Sequence, residues 1–531
     1  MEKLRLLAQS VPITFTSWII SFTGIVFIRT LFEQFPSYQP GHFALIDAPT
    51  IIHYGVSYLA ILVTLMVILV FFARTSLREI FAISIFGFLI ILLPPIIDII
   101  WGGIGGQLIS YFFATGKELS SQFITFFGWN ISSGITLGIQ IEIILVMIAC
   151  YVYVYAVTKN ILRSILASIA FYCLIFFIFS IPSILALFLT PQNEPFNAVT
   201  KSIFSSHIIQ NNIHPNFTAT SMGLFDLGFN KIMSGISIII VMFSSTVLFF
   251  LGAQKKFLAV VKNSRPERIL HYVLLFIFGS TLTQVDWFTN WVNIQTYFLA
   301  LISFVFAWMF SVCQNDIQDE EIDAISNTNR PLVLKELSKS DMETASKIFL
   351  FFALLSAYSS SHYVLFFVSL FIFIYYIYSN PPLRLKRFTI FSSFLISLAC
   401  LSAVMSGFFL LSPDKSILAF PLKIILAIVV LFTVVSNIRD IKDVEGDRAL
   451  RIKTLPVLLG LEKAKKIIAG TIFFFFLITP WYLEIPFFMV PSVLVAILSW
   501  YFINKEDYKE WKFFVVYLIY FILLIGAIIL K

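Results

Sequence analysis

The sequence predicts an all-α polytopic membrane protein with about fifteen transmembrane helices, a six-helix membrane domain followed by a nine-helix bundle. Of the 531 residues, 59% are hydrophobic and only 12% are charged, whereas a soluble domain carries about a quarter charged residues. The apolar residues form runs of about 20, the length that crosses a bilayer as a helix. With a cytoplasmic N-terminus, all but seven of the 36 Lys and Arg residues fall on the cytoplasmic side, as the positive-inside rule expects.

Six apolar runs predict a first domain, residues 1–254, to which the sequence assigns no role. The first run is longer than a signal-peptide core and has no small-residue cleavage pattern, so we expect it to remain as a membrane helix. The six runs are residues 12–32, 51–73, 80–102, 135–158, 164–190 and 232–252.

A few ionisable or amide side chains interrupt these runs. Such groups are rare in membranes and usually face the interior of a helix bundle. We expect one polar cluster in which Arg29 pairs with Asp98 or Glu142. Structural ion pairing is its plainest interpretation, and a lipid-headgroup site or a site that regulates the second domain is the alternative. The members of the expected cluster are Arg29, His53, Asp98, Gln140 and Glu142.

A basic segment, residues 255–268, is predicted to be a cytoplasmic linker between the two domains, since it is the longest basic stretch between the two sets of runs. Nine further runs then predict the second domain, residues 269–531. They are residues 269–285, 289–312, 344–360, 361–379, 388–411, 417–436, 464–483, 484–503 and 511–530.

Two loops of the second domain carry most of its carboxylates. In the first loop Asn315, Asp319 and Asp323 are four residues apart, which places them on one face of a helix. In the second loop Asp443 and Asp447 have the same spacing. Like charges stacked in this way repel one another, so a bound cation is the natural compensation.

Oxygen ligands without His or Cys suit a hard ion such as Mg²⁺, which commonly binds one or two carboxylates together with substrate phosphates. Arg330, Arg384 and Lys386 lie beside the acidic loops and can neutralise further phosphate oxygens. The mixture predicts a site for a magnesium-bound diphosphate below an apolar chamber. The alternative is that charged residues simply gather in cytoplasmic loops.

Three segments carry a resemblance to the UbiA superfamily of intramembrane prenyltransferases, over about residues 265–531. Asn315-Asp316-x-x-Asp319-x-x-x-Asp323, followed by Asn-Arg-Pro-Leu at 329–332, resembles the first Asp-rich motif of that superfamily. The segment 440–448, Asp-Ile-Lys-Asp-Val-Glu-Gly-Asp-Arg, followed by Thr-Leu-Pro at 454–456, resembles the second, and residues 378–386 resemble the segment after the fourth helix. The nine-helix count also equals that of the superfamily core.

The resemblance implies a UbiA-like helical bundle with a central cavity and specific roles for the motif residues. Asp316, Asp323 and Asp440 are assigned to catalysis, the last two supporting the metal-binding residues as ligands or through contacts to them. The residues implied to bind two Mg²⁺ ions are Asn315, Asp319, Asp443 and Asp447, and those implied to hold the diphosphate are Arg330, Arg384, Lys386 and Tyr378.

The implied function is Mg²⁺-dependent transfer of a prenyl group from a prenyl diphosphate to a lipophilic acceptor within the membrane, at its cytoplasmic face. The second motif resembles the version in enzymes that act on a glycerol-phosphate ether lipid or an isoprenoid ring more than the version that acts on 4-hydroxybenzoate. The alternative is a polyprenyl-phosphate carrier or flippase without chemistry. Although the net charge is +7, the basic residues lie in membrane loops, so nucleic acid is not expected as a partner. Membrane lipids surround the protein, and no protein partner can be inferred.

Overall fold

The computed structural model of the chain describes residues 13–37, 48–102, 111–128, 135–189, 194–213, 220–285, 287, 290–449 and 453–530. Within these residues the secondary structure is helical and no β-strand forms, which confirms the predicted all-α class. The chain divides into two compact units, Met1–Gln254 and Lys255–Lys531.

The described part of the first unit contains six apolar spans, one of which, Leu77–Trp101, joins several short helices. The break after α3 is marked by a 3₁₀ turn, Leu89–Leu92, and by the Pro pair that follows it. The helices are α1 (Phe15–Ser37), α2 (Ala48–Ala73), α3 (Leu77–Phe88), α4 (Leu93–Ile97), α5 (Gly116–Ile124), α6 (Leu137–Thr158), α7 (Ile161–Leu189), α8 (Pro195–Phe204) and α9 (Ser221–Asn263), whose residues from Lys255 onward belong to the second unit.

Helix α9 departs from helical geometry at Ala253, where φ is −152° and ψ is 54°. This kink lies next to the boundary between the two units. Beyond it the helix continues to Asn263, so most of the segment expected to be a linker is helical.

The second unit supplies the helices that position the acidic loops. They are α10 (Pro266–Thr281), α11 (Trp291–Gln318), α12 (Glu320–Ser326), α13 (Lys339–Ser360), α14 (His362–Ser379), α15 (Thr389–Leu411), α16 (Leu422–Val435), α17 (Asp440–Ala449), α18 (Leu455–Leu459), α19 (Leu461–Tyr482), α20 (Met489–Asn504) and α21 (Glu510–Ile529).

Thirteen helices in the described part of the chain are long and apolar enough to cross a membrane, fewer than the fifteen expected. All six spans expected in the first unit meet both requirements. The two that fall short are α10, which has 16 residues, and α13, whose first turns are polar. The number and apolarity of the spans make the chain an integral membrane protein.

Local signals in the sequence explain where helices of the second unit begin. Helix α13 starts with a capping box, in which Ser338 Oγ accepts from the Asp341 amide at 3.1 Å and Asp341 accepts from the Ser338 amide at 3.0 Å. Ser361 then caps α14 by accepting from the Tyr363 amide at 3.2 Å. The Ser360–Ser361 break expected between two adjacent spans is therefore a true helix boundary.

Two glycines bring α10 and α15 into close contact. A Cβ atom on Gly279 would lie 1.8 Å from the Val404 carbonyl oxygen, and one on Gly407 would lie 2.0 Å from the Phe276 carbonyl oxygen. Small residues allow such close crossing in membranes, where packing contacts hold helices together. The crossing fixes α10, whose N-terminal residues reach the acidic loops.

In the first unit, the expected pairing of Arg29 with Asp98 or Glu142 is wrong. Arg29 pairs with Glu33, with Nη2 and Oε1 2.6 Å apart and both side chains almost fully buried. Glu33 lies one turn further along the same helix, so the pair forms without any tertiary movement.

Two other expected members of the cluster, Asp98 and His53, have separate partners. Asp98 accepts from the Gly138 amide at 2.7 Å, at the start of α6. His53 lies 2.7 Å from Asn230 Oδ1 and 2.8 Å from the Tyr111 hydroxyl. These contacts tie helices to one another, as the structural interpretation expects.

Candidate functional site

The first acidic motif spans the end of α11 and the start of α12. The Asp319 amide donates to the Asn315 carbonyl at 2.9 Å, and the Asp323 amide donates to the Asp319 carbonyl at 2.8 Å. Helical hydrogen bonding thus continues through the junction. Asn315, Asp319 and Asp323 consequently line the same cavity, as their four-residue spacing predicts.

The second motif lies on α17, which follows α16 through the 3₁₀ turn Ser436–Arg439. Gly446 allows α17 to approach the first motif, since a Cβ atom there would lie 2.4 Å from Ser326 Oγ. The Gly446 amide instead donates to that oxygen at 3.0 Å. Thr454 donates to Asp447 at 3.2 Å and orients its carboxylate.

Asn327 joins the two motifs. Its Nδ2 atom donates to Asp323 Oδ1 at 2.9 Å and to Asp443 Oδ1 at 3.1 Å. The two carboxylates come from segments 120 residues apart, yet they share one amide group. Sequence reasoning missed this residue, because nothing local distinguishes Asn327 from other loop asparagines.

Basic residues from the segment after α14 face Asp319. Arg384 Nη2 donates to Asp319 Oδ1 at 2.9 Å and to the Gln318 carbonyl at 3.0 Å. The Lys386 ammonium forms an ion pair with the same carboxylate oxygen. Ser379, the last residue of α14, donates to Asn315 Oδ1 at 3.2 Å, so α14 and the segment after it together contact two residues of the first motif.

Arg265 contributes a charge that sequence analysis placed in a linker. Its guanidinium forms an ion pair with Asp316, which is 1% exposed. Although burial lowers the pKa of Arg265, Asp316 and Asp323 outweigh that effect and raise it. No local signal in the sequence indicates this contact, because Arg265 and Asp316 are 51 residues apart and meet through packing.

A polar cavity of about 340 Å³ gathers most of the residues singled out from the sequence. Asp316 and Arg384 are not among the residues that line it. Tyr378, which lines the cavity, receives a 3.5 Å hydrogen bond from Arg439. The other sequence-derived residues in the lining are Asn315, Asp319, Asp323, Arg330, Lys386, Asp440, Asp443 and Asp447.

Burial and neighbouring charges shift the pKa of ionisable groups that line this cavity. Burial and the nearby Asp316 carboxylate raise the pKa of Asp323 to about 6, although Arg330 and Arg265 partly oppose the shift. Burial, and then Arg265, lower the pKa of Arg330. The donors are carboxylate and amide oxygens, which in kind fit a hard divalent cation.

The described carboxylates are not already gathered around one point. No three His, Cys, Asp or Glu side chains within the described ranges form a metal-binding group. Asp319 is instead engaged by basic groups, and Asp443 and Asp447 by Asn327 and Thr454. A cation would therefore compete with these side-chain contacts.

Two further cavities lie beside the polar cavity in the helical bundle and share wall residues with it or with each other. A cavity of about 40 Å³ shares Trp308, Tyr375 and Arg439 with the polar cavity. It shares Phe432 and Tyr517 with a third cavity, of about 320 Å³, which α16, α19 and α21 line with apolar side chains. The second unit thus offers charge at one end and hydrocarbon-lined space at the other.

Comparison with known proteins connects these features to a family. Residues 273–525 match the model of the UbiA prenyltransferase family. Chlorophyll synthase from Avena sativa is 30% identical over 173 residues, which are 30% of this chain and 43% of the relative. A probable homogentisate phytyltransferase 2 from Oryza sativa subsp. japonica is 30% identical over 184 residues, 33% of this chain and 47% of the relative. The chain thus matches less than half the length of these relatives.

Among solved structures, a UbiA homologue from Archaeoglobus fulgidus bound to GPP and Mg²⁺ is 21% identical, with a TM-score of 0.43, and the match covers 51% of this chain and 98% of that one. An apo UbiA homologue from Aeropyrum pernix K1 is 20% identical, with a TM-score of 0.40 and coverage of 50% and 98%. The family match coincides with the helices that carry both acidic motifs and the polar cavity. Residues 273–525, in the second unit of this chain, belong to the UbiA prenyltransferase family.

Proposed function

We propose that the second unit catalyses Mg²⁺-dependent transfer of a prenyl group from a prenyl diphosphate to a lipophilic acceptor within the membrane. The observation that carries this proposal is the meeting of two acidic helix ends, joined by Asn327, opposite Arg384 and Lys386. Apolar space leads away from this point into the bundle. A diphosphate with a hydrocarbon tail matches both ends in charge and polarity.

Four residues are proposed to hold Mg²⁺: Asn315, Asp319, Asp443 and Asp447. Bound Mg²⁺ would neutralise the negative charge of the diphosphate leaving group. Asp323 is proposed to support them through Asn327, which also contacts Asp443. Asp316 is not among the lining residues, but it pairs with Arg265, which lines the cavity, so we infer that it acts by positioning that arginine.

The basic residues are proposed to bind the diphosphate. Arg384 and Lys386 already converge on one oxygen of Asp319, so donors remain for phosphate oxygens brought to the same place. Arg330 and Tyr378 line the cavity and complete the set. The four side chains hold the leaving group while the allylic C–O bond breaks and both bonding electrons depart with the diphosphate.

Aromatic residues are proposed to stabilise the prenyl cation that remains. Trp308, Tyr375 and Tyr378 line the cavity, and aromatic faces attract cations. Apolar walls beyond them exclude water, which would otherwise capture the cation. Asp440, at the same cavity, is proposed to accept the proton that the acceptor loses on attack.

The acceptor is proposed to be a lipid, such as a glycerol-phosphate ether, or an isoprenoid or aromatic ring. This rests on the form of the second motif and on the apolar space beside it. The charge distribution of the chain further supports placement of the acidic loops on the cytoplasmic side.

The direct test is turnover of radiolabelled geranylgeranyl diphosphate by the purified protein with a membrane lipid extract. We expect diphosphate release and labelled lipid product with Mg²⁺, and neither with EDTA. Asp319→Asn should abolish both while the protein stays folded, whereas Glu320→Gln, at the exposed neighbouring carboxylate, should retain activity. Parental turnover by Asp319→Asn would overturn the proposal. If every sample, with Mg²⁺ or with EDTA, binds the prenyl lipid and none releases diphosphate, the carrier alternative is favoured.

A further inference from the structure

The first unit contains an elongated cavity that the proposed reaction does not use. It has a volume of about 220 Å³ and lies between α2, α3, α6 and α7. Along α6 its wall runs from Ile139 to Tyr153, which is about 21 Å of helix at about 1.5 Å per residue. The lining is almost entirely aliphatic or aromatic. Its length and apolar walls suit one linear hydrocarbon chain.

One end of this cavity is polar because of a helix break. In a continuous helix the Ile91 carbonyl would accept a hydrogen bond from the amide of residue 95, but Pro95 has no amide hydrogen. Arg29 crosses from α1 and donates to the Ile91 carbonyl. Its remaining charge is matched by Glu33, at 2.6 Å. Arg29, which lines the cavity, is thereby held in a fixed place.

Glu142 lines the same end and has capacity for a ligand. No described residue forms a hydrogen bond or an ion pair with its carboxyl group, which lies within electrostatic reach of Arg29 and Glu33. This end therefore holds one guanidinium and two carboxyl groups, and offers no net positive charge to an anionic head group. A neutral hydroxyl group suits it, because the Glu142 carboxyl can accept the hydroxyl hydrogen.

At the opposite end of the cavity, the polar group is already engaged in a hydrogen bond within the protein. The Tyr153 hydroxyl donates to Glu79 at 3.1 Å. A ligand with one polar head is consequently oriented with that head at Glu142 and its chain along α6.

The cavity has an opening to the bilayer between α3 and α6. Gly87 and Ala149 both line it and are both exposed. A Cβ atom on Gly87 would meet nothing within 4 Å. A chain can therefore enter sideways from the lipid.

We propose that the first unit binds one molecule of a neutral long-chain alcohol in this cavity, with its hydroxyl group at Glu142. The chain is either isoprenoid or fatty, since the aliphatic walls accept both. This inference is independent of the function proposed for the second unit.

The test uses the full-length protein in phosphatidylcholine nanodiscs and a diazirine analogue of geranylgeraniol, with the labelled peptides mapped by mass spectrometry. We expect labelling on the α3 and α6 segments that line the cavity. Ala149→Trp fills the opening and should reduce that labelling at least about tenfold, whereas Ile148→Trp, on the exposed adjoining position, should leave it unchanged. Gly87→Leu closes the opening from the other helix and should repeat the loss.

Competition tests the head group. Unlabelled geranylgeraniol or hexadecanol should displace the probe, and geranylgeranyl phosphate should displace it poorly. Glu142→Leu should weaken alcohol binding about tenfold, the effect of losing one hydrogen bond to a carboxyl group. Asp319→Asn, which disables the proposed reaction, should label as the parent does. Labelling that is spread over the lipid-facing surface and unaffected by Ala149→Trp, or equal displacement by the phosphate, would overturn the proposal.

Discussion

Asn327→Ala tests whether the two acidic motifs act as one site. The Asn327 amide donates to Asp323 at 2.9 Å and to Asp443 at 3.1 Å. A hydrogen bond to a charged group contributes about 1.5–3 kcal/mol, and the half-exposed position of Asn327 reduces this to roughly half. Loss of both bonds then removes about 1.5–3 kcal/mol of the interactions that orient the carboxylates, which corresponds to a tenfold to hundredfold fall in kcat/KM.

The assay for Asn327→Ala is kcat/KM for prenyl diphosphate across a series of magnesium concentrations. We expect the variant to need more magnesium than the parent, because its carboxylates are less well oriented. Thr328→Ala is the matched control, since Thr328 is the exposed next residue, and the unfolding temperature should be recorded for both. Parental kcat/KM for Asn327→Ala at every magnesium concentration, or an equal loss in Thr328→Ala, would refute the reasoning.

Three further predictions concern the second unit. Gly446→Val should lower the free energy of unfolding by about 1–3 kcal/mol through overpacking against Ser326. Adding Ser326→Gly should partly restore it. An unchanged unfolding temperature of Gly446→Val would contradict the close approach. Lys386→Ala should lower kcat/KM at least about tenfold through loss of one charged donor, whereas Arg387→Ala, at an exposed position, should not; equal effects would contradict the assigned role. Burial raises the pKa of Asp341, but hydrogen bonds from a lysine and from its cap serine outweigh this and hold it below the ordinary 3.8. Asp341→Asn should therefore lower stability by less than about 1 kcal/mol at neutral pH. Because the carboxylate contribution is lost as pH falls through the depressed folded-state pKa, parent and variant should converge in strong acid, and a difference that persists there would contradict it.

In the acidic site, the spacing of residues along one helix predicts which side chains share a cavity. Asn315, Asp319 and Asp323 line one cavity because helical hydrogen bonding continues through the α11–α12 junction, and helical period alone predicts this. The partners of these groups could not be predicted in the same way. Asn327 and Arg265 acquire their contacts from chain segments far away in sequence, and such contacts follow from packing.

In the first unit, the rarity of ionisable residues within membranes did not predict which of them form ion pairs. Its intramembrane ionisable residues were expected to pair across helices, yet Arg29 pairs with Glu33 on its own helix. Glu33 directly follows the first apolar run, residues 12–32, and was therefore not included in the expected cluster. The count of fifteen spans is not confirmed, because among the described helices α10 has only 16 residues and the first turns of α13 are polar.

The sequence by itself determined the membrane class, the positions of the long helices and the two acidic motifs, because each depends on composition or on the period of a single helix. Tertiary structure alone decided that Asn327 bridges the motifs, that Arg265 reaches Asp316, and that the first unit encloses a chain-shaped cavity. Those features depend on distances between separate helices. Such distances are set by side-chain volumes, by glycines, which have no Cβ, and by prolines, which have no amide hydrogen. These properties determine contacts between helices only once the helices have packed.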